Sequence, residues 1–159
     1  MRISRENRAF STLEVLAAVT VVIILAAILL GVGKRLKTQA EEKLAKSTIQ
    51  ILVTAIEQYY GFWDKFPVVD PCEPPDVHSE DLYVQLDSTP SSKRFCEKID
   101  TTMVGDTNND EEGRLEFLDP WGEPLDYIYK AQDSFPEVVS GGPDKDFNTQ
   151  ADNVSSRDM

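Results

Sequence analysis

Histidine occurs once in the 159 residues, as His78, and cysteine twice, as Cys72 and Cys96. A single imidazole and two cysteines outside any C-x-x-C leave little for zinc binding or histidine-based acid–base chemistry. The GxSxG, HExxH and phosphate-loop signatures are missing as well. The sequence therefore points away from an enzyme. Proline and glycine are absent from Lys34 to Tyr60, so nothing there breaks a helix. Basic side chains are absent from Phe10 to Gly33, FSTLEVLAAVTVVIILAAILLGVG, whose only charge is Glu14.

That apolar stretch organises the chain. Its 24 residues as a helix reach roughly 36 Å, enough for a bilayer core of about 30 Å. A carboxylate inside such a segment costs at least a few kcal/mol (about 2.5 or more on insertion scales). If the chain is cut just before Phe10, the new α-amino group lies four residues from Glu14. Positions i and i+4 share a helix face, so this amine, or a neighbouring subunit's, would relieve the buried charge. An ordinary signal anchor is the plainer reading of a basic segment before an apolar run, but such an anchor has no need of Glu14.

Charge is unevenly spread. Residues 1–9 carry +2, residues 10–33 carry −1, and Lys34, Arg35 and Lys37 add +3, which leaves −16 for 38–159 in a chain of net −12. So acidic a segment argues against nucleic acid as a direct partner and suits a cation or a basic surface. The basic leader favours a cytoplasmic N-terminus, and Lys34, Arg35 and Lys37 oppose it.

The leader MRISRENRA, Phe10 after it, Glu14 at the fifth position of the cut chain and the apolar run resemble the N-terminus of type IV pilins and type II secretion pseudopilins. Ala9 stands where that family usually has Gly. The resemblance implies cleavage between Ala9 and Phe10 by a prepilin peptidase, N-methylation of Phe10, and an assembly role for Glu14. It also implies a single-pass inner-membrane protein with its head in the periplasm. Its partners would be membrane lipid, an inner-membrane assembly platform, and copies of itself and other pseudopilins in a filament. The alternatives are a type IV pilus pilin or minor pilin, or a membrane-anchored calcium- or ligand-binding module that forms no filament.

Beyond Gly33 the helical pattern continues. Leu44, Ala45, Thr48, Ile49, Leu52, Ala55, Ile56 and Tyr59 recur at three- and four-residue steps, opposite Glu41, Glu42, Lys46, Gln50 and Glu57. The spacing predicts one helix from about residue 12 to 61, ended by Gly61. AIEQYYGFWDKFP resembles the end of that helix in major pseudopilins. Prolines 67, 71, 74 and 75 exclude long regular elements after it. A short helix is predicted at Ser79–Leu86 with Ser79 as N-cap, and another turn within Thr89–Lys98. RLEFLDPWGEPLDYIYK reads as two strands around a turn at Asp119–Gly122, which resembles the first β-hairpin of a major pseudopilin head, with Trp121 beneath it. Val138 and Val139 suit a final strand. The expected fold is α+β, a long N-terminal helix packed against a small antiparallel sheet. The divisions are a leader 1–9, a membrane half 10–33, an amphipathic half 34–61 and a head 62–159.

Two acidic segments are candidate metal sites. Asp106, Asn108 and Asp110 alternate as in a calcium loop, but Glu111 and Phe117 stand where that motif needs Gly and Glu. The segment after Ser140-Gly-Gly resembles the calcium loop of major pseudopilins. The resemblance implies Asp144, Asp146 and Asp152 as Ca2+ ligands, with Ser140 and Asn148 beside them. The even cysteine count favours a Cys72–Cys96 disulfide in an exported domain, closing about 25 residues for roughly 3 kcal/mol. Two free thiols is the reading for a cytosolic one.

Overall fold

The computed structural model describes residues 11–108, 113–130 and 132–159, with the side chains at 29–31 and 34 outside the description. Ala9, Phe10 and Asp110 therefore lie outside the described residues. The fold is mixed α+β with small antiparallel sheets. The chain divides into two units, Met1–Gln39 and Ala40–Met159. Helix α1, Thr12–Trp63, contributes residues to both.

In the first unit, α1 begins where Ser11 accepts the Leu13 N–H on its Oγ at 3.3 Å. Ser11 and Glu14 have the S-x-x-E spacing of a capping box, and an acid in a first turn complements the positive helix end. Leu13 to Ile28 present apolar side chains to solvent on every side of the helix.

In the second unit the expected stripe is the core. Ala45, Thr48, Ile49, Leu52, Ala55, Ile56 and Tyr59 are buried, while Leu44 stays exposed at 39 %. The helix runs through Gly61, the expected stop, to Trp63. Asp64 supplies the left-handed residue instead, at φ 53, with its N–H on Tyr60 O at 2.7 Å. Aspartate tolerates that conformation better than most side chains.

Prolines place the next two helices. Helix α2, Pro75–Ser88, starts on Pro75, and α3, Pro90–Cys96, starts on Pro90. Proline fits a first helical turn, where its missing N–H has no partner to lose. Thr89 between them is extended, as a residue before proline should be. Ser79 is therefore not an N-cap. It lies buried inside α2, donating its hydroxyl to Phe117 O at 3.0 Å and accepting the Phe117 N–H at 2.9 Å.

Strands β1, Val104–Gly105, and β2, Glu116–Phe117, form one antiparallel pair. Strands β3, Asp126–Ile128, β4, Glu137–Ser140, and β5, Val154–Ser155, form a second sheet in that order. The Asp119–Gly122 turn forms, with Gly122 at φ 84 and its N–H on Asp119 O at 3.0 Å. Its flanks bond only briefly, through Asp119 N–H to Glu123 O and Leu125 N–H to Phe117 O, both 2.8 Å. Pro124 has no N–H to extend that ladder, and the two segments part into different sheets. The expected hairpin is thus a turn between sheets. Nor is β4 the last strand: β5 pairs with it at Val139↔Ser155 and Ser140↔Val154.

The cysteines are free thiols, Cys72 exposed and Cys96 buried, so the expected disulfide is not formed here. Cys96 faces the core from α3, and burial pushes its thiol up to about 12. Cys72 sits in a turn whose N–H donates to Asp70 Oδ1 at 3.0 Å.

Candidate functional site

The first candidate surface is the apolar part of α1. Val21, Val22, Ile23, Ile24 and Leu25 follow one another, and each is more than half exposed, from 54 % to 64 %. At 3.6 residues per turn, five successive residues sweep the whole circumference. No single face is amphipathic. Thr20 hides its hydroxyl by donating to Leu16 O at 2.9 Å, which keeps the surface apolar. Among the described residues no helix is long and apolar enough to cross a membrane. Apolar side chains are described to Ile28 and again at Val32, which is also exposed, with those at 29–31 outside the description. Glu14 is the acidic residue of the first turn and is exposed.

The second candidate is the acidic loop, which the structure places between β4 and β5 rather than after the last strand. Its base is a buried polar junction. Ser140 donates its hydroxyl to Asp119 Oδ2 at 2.6 Å and accepts the Gly142 N–H at 3.1 Å. Asp119 Oδ1 accepts the Trp121 and Glu123 N–H groups at 2.9 and 3.0 Å. Burial holds the Asp119 carboxyl above its usual range, against the lowering by those hydrogen bonds. Gly142 is required by space as well as by its φ of 71: a Cβ there would stand 2.4 Å from Asp152 O. The two ends of the loop thus press together at Gly142 and Asp152.

The expected ligands fall into two groups. Asp144 Oδ1 accepts the Asp146 N–H at 3.0 Å, and Asp146 Oδ1 accepts Asn148 N–H and Nδ2 at 2.9 and 2.8 Å. These bonds to Asn148 hold the Asp146 carboxyl below its usual range. Asp144, Asp146 and Asn148 are thus exposed turn-formers, and Ser140 is tied to Asp119. Asp152 differs. Its Oδ1 and the Oδ1 of Asn153 are buried with no hydrogen-bond partner. Two adjacent acceptors left unsatisfied in the interior are costly unless something electropositive meets them. Among the described residues, no three His, Cys, Asp or Glu side chains gather to hold a metal ion. Carboxylate and amide oxygens of this kind are the donors a hard cation takes.

In the other acidic segment, Asn108 donates to Glu80 Oε1 at 2.6 Å. Thr107 donates its N–H and hydroxyl to Glu116 Oε1 and Oε2 at 3.1 and 2.6 Å. Glu80 and Glu116 are both buried. With Asp106 and Asn108 on this surface, the segment latches β1 and β2 to α2. Sequence reasoning missed Asp119, Glu80, Glu116 and Asn153. The Asp-Pro-Trp-Gly turn signalled the first, and nothing local signalled the glutamates.

No family model, no curated protein and no solved structure matches this chain.

Proposed function

We propose that this chain is a structural subunit of a type II secretion pseudopilus, cleaved between Ala9 and Phe10 and methylated on Phe10. The observation that supports the reading is the run of exposed apolar side chains all round α1 directly after Glu14. A soluble helix buries an apolar stripe against its own chain, and a helix apolar on every side needs lipid or like helices around it. In the proposed mechanism Phe10–Gly33 resides in the inner membrane, with the head in the periplasm. Subunits are then drawn side by side into a filament, and Glu14 neutralises a neighbour's N-terminal amine, setting the register. The function is mechanical and requires no catalytic group.

Calcium belongs to the same proposal. Asp152 and Asn153 would hold it, with carbonyl oxygens of the Gly141–Gly142 turn. When bound, it would supply positive charge to buried oxygens. Asp144 and Asp146 then shape the loop around the site.

N-terminal sequencing of the chain, expressed with an active prepilin peptidase and extracted from membranes, tests the reading. A modified Phe10 at the N-terminus is expected. Retention of Met1 would overturn it in favour of a plain anchor.

A further inference from the structure

Charge changes most sharply in this chain just past the apolar run. Residues 10–33 carry Glu14 as their only charge, and Lys34, Arg35 and Lys37 then place three cations within four positions. Residues 38–159 return to a net −16. The three cations stand on α1, which continues through them without a break. Val32 is 51 % exposed, and the Arg35 and Lys37 side chains that follow it are exposed too. Arg35 enters no ion pair among the described residues. At 1.5 Å per residue, positions 34 to 37 fall within about 6 Å of Gly33 along the helix axis. The polar layer on each side of a bilayer core is about 5–8 Å deep. A bilayer that holds the apolar run therefore meets these cations at the depth of its headgroups.

We infer that Arg35 and Lys37, with Lys34, form a cationic collar that binds the phosphate groups of anionic lipids where the apolar run leaves the bilayer. The collar presupposes the membrane residence of that run proposed above, and neither cleavage nor filament formation. Charge complementarity favours this partner. Each Lys or Arg close to an anionic surface is worth about fivefold in binding. Their long stems lie along apolar surface while the charged ends stay among polar groups. The spread of the side chains favours it as well. At about 100° per residue, Arg35 and Lys37 diverge by about 200° around α1. A protein docked on one face would meet one of them, whereas lipid surrounds the helix and meets both.

Such a collar accounts for two features of the sequence. Lys34, Arg35 and Lys37 oppose the orientation that the basic leader favours, so they do not serve topology. Anionic headgroups give them a use on either side of the membrane. The acidic residues that follow, beginning with Glu41 and Glu42, are repelled by the same lipid surface. Cations placed before them hold the end of the apolar run against the headgroups.

Tryptophan quenching in vesicles tests the collar. The full-length chain carrying Val32→Trp is reconstituted in phosphatidylcholine with a minor share of phosphatidylglycerol brominated on its acyl chains. Parallel vesicles carry the same share of brominated phosphatidylcholine. The chain without Val32→Trp, which holds only Trp63 and Trp121, supplies the background. The introduced indole should be quenched as though the anionic lipid were enriched about fivefold around the helix. Lys34→Gln, Arg35→Gln and Lys37→Gln together should bring the two lipids to parity. Raising the salt from about 0.1 M to 1 M, which shortens screening from about 10 Å to 3 Å, should shrink the preference. Equal quenching by the two lipids would overturn the collar, and so would a preference that survives the triple substitution. Loss of the preference to inorganic phosphate at constant ionic strength would overturn it in favour of a site for free phosphate. Quenching by neither lipid would overturn the membrane residence itself, and the collar with it.

Discussion

Residues 13–28 and 45–59 of α1 belong to one helix, yet their apolar side chains meet opposite fates. Val22 is 64 % exposed, and Ile49 is wholly buried. Backbone geometry does not separate them, since both lie well inside Thr12–Trp63. The pattern around each does. Ile49 stands in a stripe backed by Glu41, Glu42 and Lys46, which directs one face inward, and α2, α3 and the sheets supply the residues that cover it. Around Val22 every direction is apolar, and no single packed face could bury them all. The part of α1 in the first unit leaves its apolar side chains exposed, and the part in the second unit buries one face within the chain.

The largest expected effect on output falls on the charged residue at the start of the exposed region. Glu14→Ala or Glu14→Val should leave membrane insertion intact, because removing a carboxylate makes insertion easier. Filament formation or secretion output should fall by tenfold or more (about 1.4 kcal/mol per decade). Normal output would mean that Glu14 serves only as the first-turn acid of α1.

Paired truncations sharpen the contrast directly. Ile49→Ala should cost about 2–5 kcal/mol of thermal stability, the range for emptying a packed site. Val22→Ala should stay within about 0.5 kcal/mol, as an exposed substitution does. Melting of the full-length chain in micelles measures both, and equal losses would show that the 13–28 region is packed after all.

Calcium tests the acidic loop in the same melting assay. At a hundred times its dissociation constant calcium should stabilise by about 2.7 kcal/mol, and a chelator should reverse it. Asp152→Ala should abolish the increment and Asp106→Ala should not. The opposite pattern would move the site to the 106–113 loop.

The junction under that loop gives a further test. Asp119→Ala leaves the Trp121 and Glu123 N–H groups and the Ser140 hydroxyl without their acceptor, at about 1–3 kcal/mol. Asp119→Asn keeps one oxygen for the two N–H groups and should cost less. Burial raises the Asp119 carboxyl in the folded chain. The folded state therefore holds this proton more firmly than the unfolded state does. Its contribution is present below the ordinary carboxylate range and is lost as pH rises through the raised value. Asp119→Asn should flatten that part of a stability-against-pH profile, and an unchanged profile would assign the dependence elsewhere.

Periodicity carried much of this fold. A helix without breakers, with apolar residues at three- and four-residue steps, can bury only one face, and Ala45 through Tyr59 do so. The prolines at 75 and 90 were legible as interruptions, though not as first residues of helices, because that depends on which side of each the chain turns helical. Ser79 illustrates the limit. A serine before an apolar run reads as a cap, but here its hydroxyl meets Phe117, 38 residues away. The calcium-like loop was visible as composition. Which of its aspartates form turns and which are buried depended on β5 returning beside β4, and a two-residue strand leaves almost no trace in sequence.

Local order therefore came from the sequence itself: the apolar run with its one carboxylate, the amphipathic stripe and the turn at Asp119–Gly122. Such features arise from neighbours within a few residues, through helical period and backbone restriction. Tertiary structure alone decided the pairing of His78 with Asp126 across 48 residues, the burial of Glu80 and Glu116, and the orphaned oxygens of Asp152 and Asn153. Those depend on desolvation, and whether a polar group loses its water is settled only when distant segments close over it.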